Sequence, residues 1–135
     1  MTGALVAVAT LAVCTVFGLV WQRRTGRLRA QKMTERPRAW EFELGERATL
    51  LQFSSAFCAP CRATRRVLEE VAGMVDGVRH IEIDAEDHLD LVRELGVLKT
   101  PTVFVLDGAG AIVQRASGQP RKADVIAALG RSSTM

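Results

Sequence analysis

Three regimes of apolar and polar positions follow one another along the chain. Residues 3–22 carry no charged side chain, and the run GALVAVATLAVCTVFGLVW within them is apolar almost throughout. As a helix at ~1.5 Å per residue it reaches roughly 28–30 Å, close to the thickness of a bilayer's hydrocarbon core. Trp21 closes the run, where an amphipathic indole favours the lipid–water boundary. The pattern predicts a transmembrane helix over residues 3–22. Residues 23–47 then read as a basic juxtamembrane segment and linker. Within it Trp40, Phe42 and Leu44 alternate with Glu41 and Glu43, the period of a half-buried strand.

From residue 48 to 130 apolar runs alternate with amphipathic stretches. ATLLQFS (48–54) predicts a buried strand. Over 60–75, Val67, Leu68, Val71, Met74 and Val75 recur at spacings of three and four, with Arg62, Arg65, Arg66, Glu69 and Glu70 on the other side, which predicts an amphipathic helix. VRHIEID (78–84) reads as a strand, 87–95 as a short helix stopped by Gly96, and TVFVL (102–106) as a strand. The turn Asp107-Gly108-Ala109-Gly110 returns the chain as a further strand over 111–116, Gly118 breaks it, and 123–129 makes a last helix. The order β-α-β-α-β-β-α predicts an α/β domain, a mixed sheet with helices on both faces. No internal repeat interrupts it.

Charge changes this picture in one respect. The whole chain of 135 residues has a formal charge of +3 and 48% hydrophobic residues. The first 38 residues hold seven Lys or Arg against Glu35, a net +6, whereas residues 39–135 hold eleven against fourteen acids, a net −3. The body is therefore mildly acidic, and a nucleic-acid partner is not expected, since such a protein carries its positive charge on the folded face. Basic residues stay on the cytoplasmic side of a membrane span, so the flanks predict the N-terminus outside and a single-pass protein of the cell membrane with its C-terminal body in the cytoplasm. A cleaved signal peptide would need a basic segment before the apolar run and small residues at a cleavage site, and neither is present. Leu11-Ala12-Val13-Cys14 resembles a lipoprotein signal only loosely, because Val13 is too large and the apolar run continues past Cys14.

Of the three cysteines, Cys58 and Cys61 carry the chemistry. Cys58-Ala59-Pro60-Cys61 opens a predicted helix directly after a predicted strand. Free N–H groups and a partial positive charge at a helix start favour a thiolate, so Cys58 is expected to be the nucleophile. Cys61, three residues on, comes to the same face within reach of a disulfide, and Pro60 in the first turn costs no hydrogen bond. Such a pair exchanges disulfides with a substrate, Cys58 attacking and Cys61 resolving. Zinc needs four ligands; only His80 and His88 remain, without ligand spacing, so neither metal nor organic cofactor is expected. The acids Asp84, Glu86, Asp87 and Asp90 suit a solvated helix start.

Residues 48–129 resemble the thioredoxin family. The resemblance rests on the strand–Cys-x-x-Cys–helix unit, on Thr100-Pro101-Thr102 some forty residues later between a short helix and a hairpin, and on Gly118 before the last helix. It implies a thioredoxin-like fold and a thiol–disulfide oxidoreductase; anchored by residues 3–22 with its body in the cytoplasm, where the thiol pool keeps exposed disulfides open, the protein is expected to work as a reductase. It further implies that Pro101 is cis beside the cysteines and that the backbone of Thr100 pairs with an extended substrate segment. Phe57, Ala59, Pro60, Thr100 and Pro101 would then shape the substrate groove. The partners implied are a disulfide-containing protein and an upstream thiol donor. Several positions depart from the family pattern. Phe57 replaces the usual Trp, and Ala59-Pro60 the usual Gly-Pro. Gln52, which cannot titrate, stands where a buried acid normally serves the second cysteine. His80 corresponds to that acid's lysine partner, and Arg66 to the usual kinking proline; the family's first helix is missing or shortened. Gln52 and His80 are thus candidate modulators of proton transfer, His80 being more simply a strand histidine with a local hydrogen bond. The departures leave open a non-catalytic binding module whose cysteines act as a redox-dependent latch.

Overall fold

In the computed structural model, which describes residues 1–24, 27–30 and 39–132, α1 spans Thr2–Arg24 and buries none of its residues. Its most apolar window has a mean hydropathy of 2.4, so it is long and apolar enough to cross a membrane. The hydroxyls of Thr10 and Thr15 donate to the carbonyls of Val6 and Leu11 at 2.8 and 2.7 Å, which hides polar groups that lipid would leave unpaired. Residues 25 and 26, and the linker over 31–38 with its basic positions 32, 36 and 38, lie outside the described residues.

Five strands form one sheet in the order β1-β5-β4-β2-β3: β1 (Arg29–Ala30), β2 (Ala48–Ser54), β3 (Val78–Asp84), β4 (Thr102–Asp107) and β5 (Ile112–Ser117). β2 runs parallel to β3 and antiparallel to β4, and β4 and β5 make an antiparallel hairpin. All seven residues of β2 are buried, as expected of a strand flanked by neighbours and covered on both faces. Helices α2 (Ala59–Met74) and α4 (Lys122–Ser132) cover one face and the short α3 (Leu89–Glu94) lies on the other. On the α2/α4 side Leu50, Val103 and Val105 meet Leu68, Val71, Val125 and Leu129. Opposite, Leu51, Phe53, Phe104 and Leu106 meet Leu91 and Val92. Phe53 and Phe104 pack edge to face at 5.7 Å; each large side chain so buried contributes about 1.5–3 kcal/mol.

The predicted elements from 48 onward are present, with bounds shifted by a few residues in places. The helix expected over 87–95 begins as a 3-10 turn, Ala85–Asp87, because the Asp84 carboxylate accepts the Glu86 N–H at 2.9 Å and tightens the chain there. Gly96, at φ +64, ends α3. The last helix reaches Ser132, whose hydroxyl donates back to the Ala128 carbonyl at 2.9 Å.

The strand expected over 40–44 does not form; that stretch is irregular. Its alternation is nevertheless physical. Trp40, Phe42 and Leu44 are half-buried against the α3-side core while Glu41 and Glu43 are exposed. The segment packs against that face of the sheet and pairs with neither edge strand, β1 or β3. Trp40 fixes it by donating Nε1–H to the Gly110 carbonyl at 2.9 Å. Gly110, at φ +86, admits this approach, since a Cβ there would meet Trp40 and Leu44 at 3.0 Å.

Candidate active site

The site forms where β2 ends and α2 begins. After Ser54 the chain turns through Ala56 and Phe57, with Phe57 at φ +58 and fully exposed. Cys58 caps α2: its Sγ accepts the N–H of Cys61 at 3.2 Å, so an orphan donor of the first turn points at the sulfur. Ala59 and Pro60 occupy the exposed first turn, where proline loses nothing. Leu68 and Val71, further along α2, are wholly buried against the sheet and hold that helix start in place.

Cys58 and Cys61 are joined as a disulfide, with Cα atoms 5.2 Å apart. The two sulfurs differ in access: Cys61 is buried and Cys58 half-buried. The Thr100–Pro101 peptide is cis. Thr100 directs its hydroxyl at Cys58 Sγ, 4.0 Å away, and shares a 2.7 Å hydrogen bond with the Ser55 hydroxyl. The Pro101 carbonyl accepts the Gly118 N–H at 2.7 Å, which ties the loop to the end of β5. The predicted groove residues Phe57, Ala59, Pro60, Thr100 and Pro101 are thus gathered around the cysteines.

Behind the disulfide lies a polar network. Gln52 is fully buried; its amide NH2 donates to the Cys61 carbonyl and to Ser54 Oγ, both at 2.9 Å. Its Oε1 lies 3.0 Å from His80 Nε2. An amide oxygen only accepts, so His80 carries its proton on Nε2. Ser54 then donates to Glu82 Oε2 at 3.2 Å, and Arg65 grips both Glu82 oxygens at 2.9 and 2.7 Å. Burial pushes the His80 imidazole below its ordinary pKa of 6.5; the charges of Glu69 and Glu82 oppose that, and Arg65 adds to it. The hydrogen bond and charge of Glu82 raise the Arg65 guanidinium.

Gln52 and His80 therefore touch, as their correspondence to a family pair suggested. Ser54, Ser55, Glu82 and Arg65 were missed. A strand period of two puts Ser54 on the same face as Gln52, and Glu82 on the same face as His80, but only the parallel register that sets Gln52 opposite Glu82 brings the four together. The acidic stretch after β3 caps a turn through Asp84, and His88 Nδ1 donates to the Asp84 carbonyl at 3.1 Å. Among the described residues no group of three or more His, Cys, Asp or Glu side chains is arranged to hold a metal ion.

Comparison with known proteins agrees with this geometry. The thioredoxin family model matches residues 31–131. The chain is 31% identical to a thioredoxin of Bacillus subtilis (strain 168) over 83 residues, 60% of this chain and 79% of that one. It is 28% identical to a thioredoxin of Alicyclobacillus acidocaldarius over 79 residues, 58% of this chain and 75% of the other. Among solved structures it superposes on a thioredoxin mutant from Halobacterium salinarum with a TM-score of 0.60, at 20% identity, covering 67% of this chain and 78% of that one. A disulfide at the start of α2, a cis-proline beside it and a family match across most of the folded body lead to one conclusion: the chain belongs to the thioredoxin family.

Proposed function

We propose that the chain is a membrane-anchored thiol–disulfide oxidoreductase that reduces protein disulfides through Cys58 and Cys61. The observation that carries this reading is the Cys58–Cys61 disulfide at the mouth of α2, with the Thr100 hydroxyl and Cys61 N–H directed at Cys58 Sγ. In the reduced protein those donors favour a Cys58 thiolate. The thiolate attacks one sulfur of a substrate disulfide and expels the other, which takes up a proton. Cys61 then gives up its proton and attacks Cys58 Sγ, which releases the second substrate thiol and regenerates the Cys58–Cys61 bond. Two electrons and two protons pass to the substrate, and an upstream dithiol donor restores the pair. Exposed Phe57 and the cis Thr100–Pro101 edge receive the substrate, an extended segment pairing with the backbone of Thr100.

Anchoring rests on α1, and the basic flank supports a body in the cytoplasm, where the thiol pool favours reduction. Insulin-disulfide reduction by the full chain in detergent tests the proposal. Turnover should be lost in Cys58→Ser, while Cys61→Ser should accumulate a mixed disulfide that identifies the substrate. Gln52 supports a second reading, a binding module with a redox latch, because the side chain that reaches the Cys61 carbonyl is an amide that cannot titrate. Absence of turnover in the unaltered chain under every reductant tried would favour that module.

A further inference from the structure

Ser54 and Ser55 stand side by side where β2 gives way to the loop before Cys58, and their hydroxyls attend to different cysteines. The Ser54 hydroxyl belongs to the network beneath Cys61, between Gln52 and Glu82. Successive side chains of an extended chain point to opposite sides, and Ser55 reaches away from that network. Its Oγ lies 2.7 Å from Thr100 Oγ1, across 45 positions of sequence.

Protons decide how this pair is ordered. Each hydroxyl has one O–H to give and lone pairs with which to accept. Thr100 Oγ1 has two acceptors within reach, Ser55 Oγ and, at 4.0 Å in the disulfide state, Cys58 Sγ. Reduction can place a negative charge on that sulfur. A thiolate has no proton of its own, and a hydrogen bond to an anion is shorter and roughly twice as strong as a neutral one. In the reduced protein the Thr100 proton therefore goes to sulfur. The proton left for the 2.7 Å contact is that of Ser55, which donates to Thr100. A hydroxyl that accepts one hydrogen bond donates a stronger one. The order Ser55 to Thr100 to Cys58 thus adds to the Cys61 N–H that faces the same sulfur at 3.2 Å. The nearest charged side chains along the chain, Arg62 in α2 and Lys99 beside Thr100, are exposed, where salt and water screen what they add.

We propose that Ser55 is a positioning residue for the nucleophile: its hydroxyl holds the Thr100 hydroxyl on Cys58 Sγ and so stabilises the thiolate that opens the exchange. This rests on the reading of Cys58 as the attacking sulfur and on no particular substrate.

The full chain in detergent, with Cys14→Ser and Cys61→Ser, keeps Cys58 as its one thiol, and its ultraviolet thiolate absorbance is followed against pH without substrate. Ser55→Ala should displace that titration to higher pH. At a fixed pH below the midpoint the thiolate fraction should fall about two- to tenfold, the range of one net hydrogen bond. Ser55→Thr, which keeps the hydroxyl, should restore the original curve. In a Thr100→Val background Ser55→Ala should change nothing further, because its route to sulfur is gone; a merely structural role would move the curve in both backgrounds. An unmoved curve in Ser55→Ala, an equal displacement with Thr100→Val, or a Ser55→Thr curve that matches Ser55→Ala overturns the proposal. Insulin turnover is read separately: a chain that shows this coupling yet reduces no insulin overturns the reductase reading and leaves Ser55 in its role.

Discussion

Gln52 uses both ends of its amide at once, and this fixes the proton of its neighbour. With the NH2 donating to Cys61 and Ser54, the oxygen faces His80, whose buried ring favours the neutral form. The unfolded chain therefore takes up this proton first as pH falls through 6.5. The stabilising contribution is complete above that value and is lost below it. Urea midpoints at about pH 7.5 and about pH 5.5 should show a smaller acid loss in His80→Gln than in the unaltered chain. Thr64 offers a second check. Its side chain is fully buried and its Oγ1 has no hydrogen-bond partner, so Thr64→Val should stabilise the fold by about 1 kcal/mol in denaturant melts. Cys58 and Cys61 were legible from their spacing at the start of a helix, and Thr100 and Pro101 through the resemblance to the thioredoxin family. Ser55 was not, since its contact with Thr100 joins residues 45 positions apart.

Elements were legible where a period and a stop signal agreed. Strands β2 and β3 fall at their predicted bounds, and α2, α4 and the hairpin within a few residues of theirs. The failure at 40–44 has a definite cause: a period of two reports which side chains face an apolar surface, and it does not report whether a neighbouring backbone is free to pair. What pins that segment is backbone approach. A Cβ on Gly45 would meet the Gly77 carbonyl at 2.8 Å and the Arg79 amide at 2.9 Å, groups that cannot yield without moving the start of β3. Gly45→Ala should therefore cost about 2–3 kcal/mol, seen as a lowered thermal midpoint. Tertiary contact also secures the far end of α3. Arg115 donates to the carbonyls of Leu95 and Gly96 and lies over the Phe104 ring at 5.1 Å. No local pattern announces this, because the arginine sits 20 residues downstream of the helix end it holds.

Across the whole molecule, charge and hydropathy divide the chain into an apolar helix, a basic flank and an acidic body. The proposed sidedness follows from that division, and alkaline phosphatase fused at the C-terminus should stay inactive, whereas activity would place the body outside. The join between helix and body bears on reach. α1 ends at Arg24, and Arg29 is already bonded into the sheet beside Arg115. Five residues of fully extended chain span at most about 18 Å. With α1 in a bilayer, the β5 side of the sheet is held on a short leash, and its working height is limited to proteins that come close to the lipid surface. Lengthening that leash, without touching a single side chain near the disulfide, would widen the range of targets.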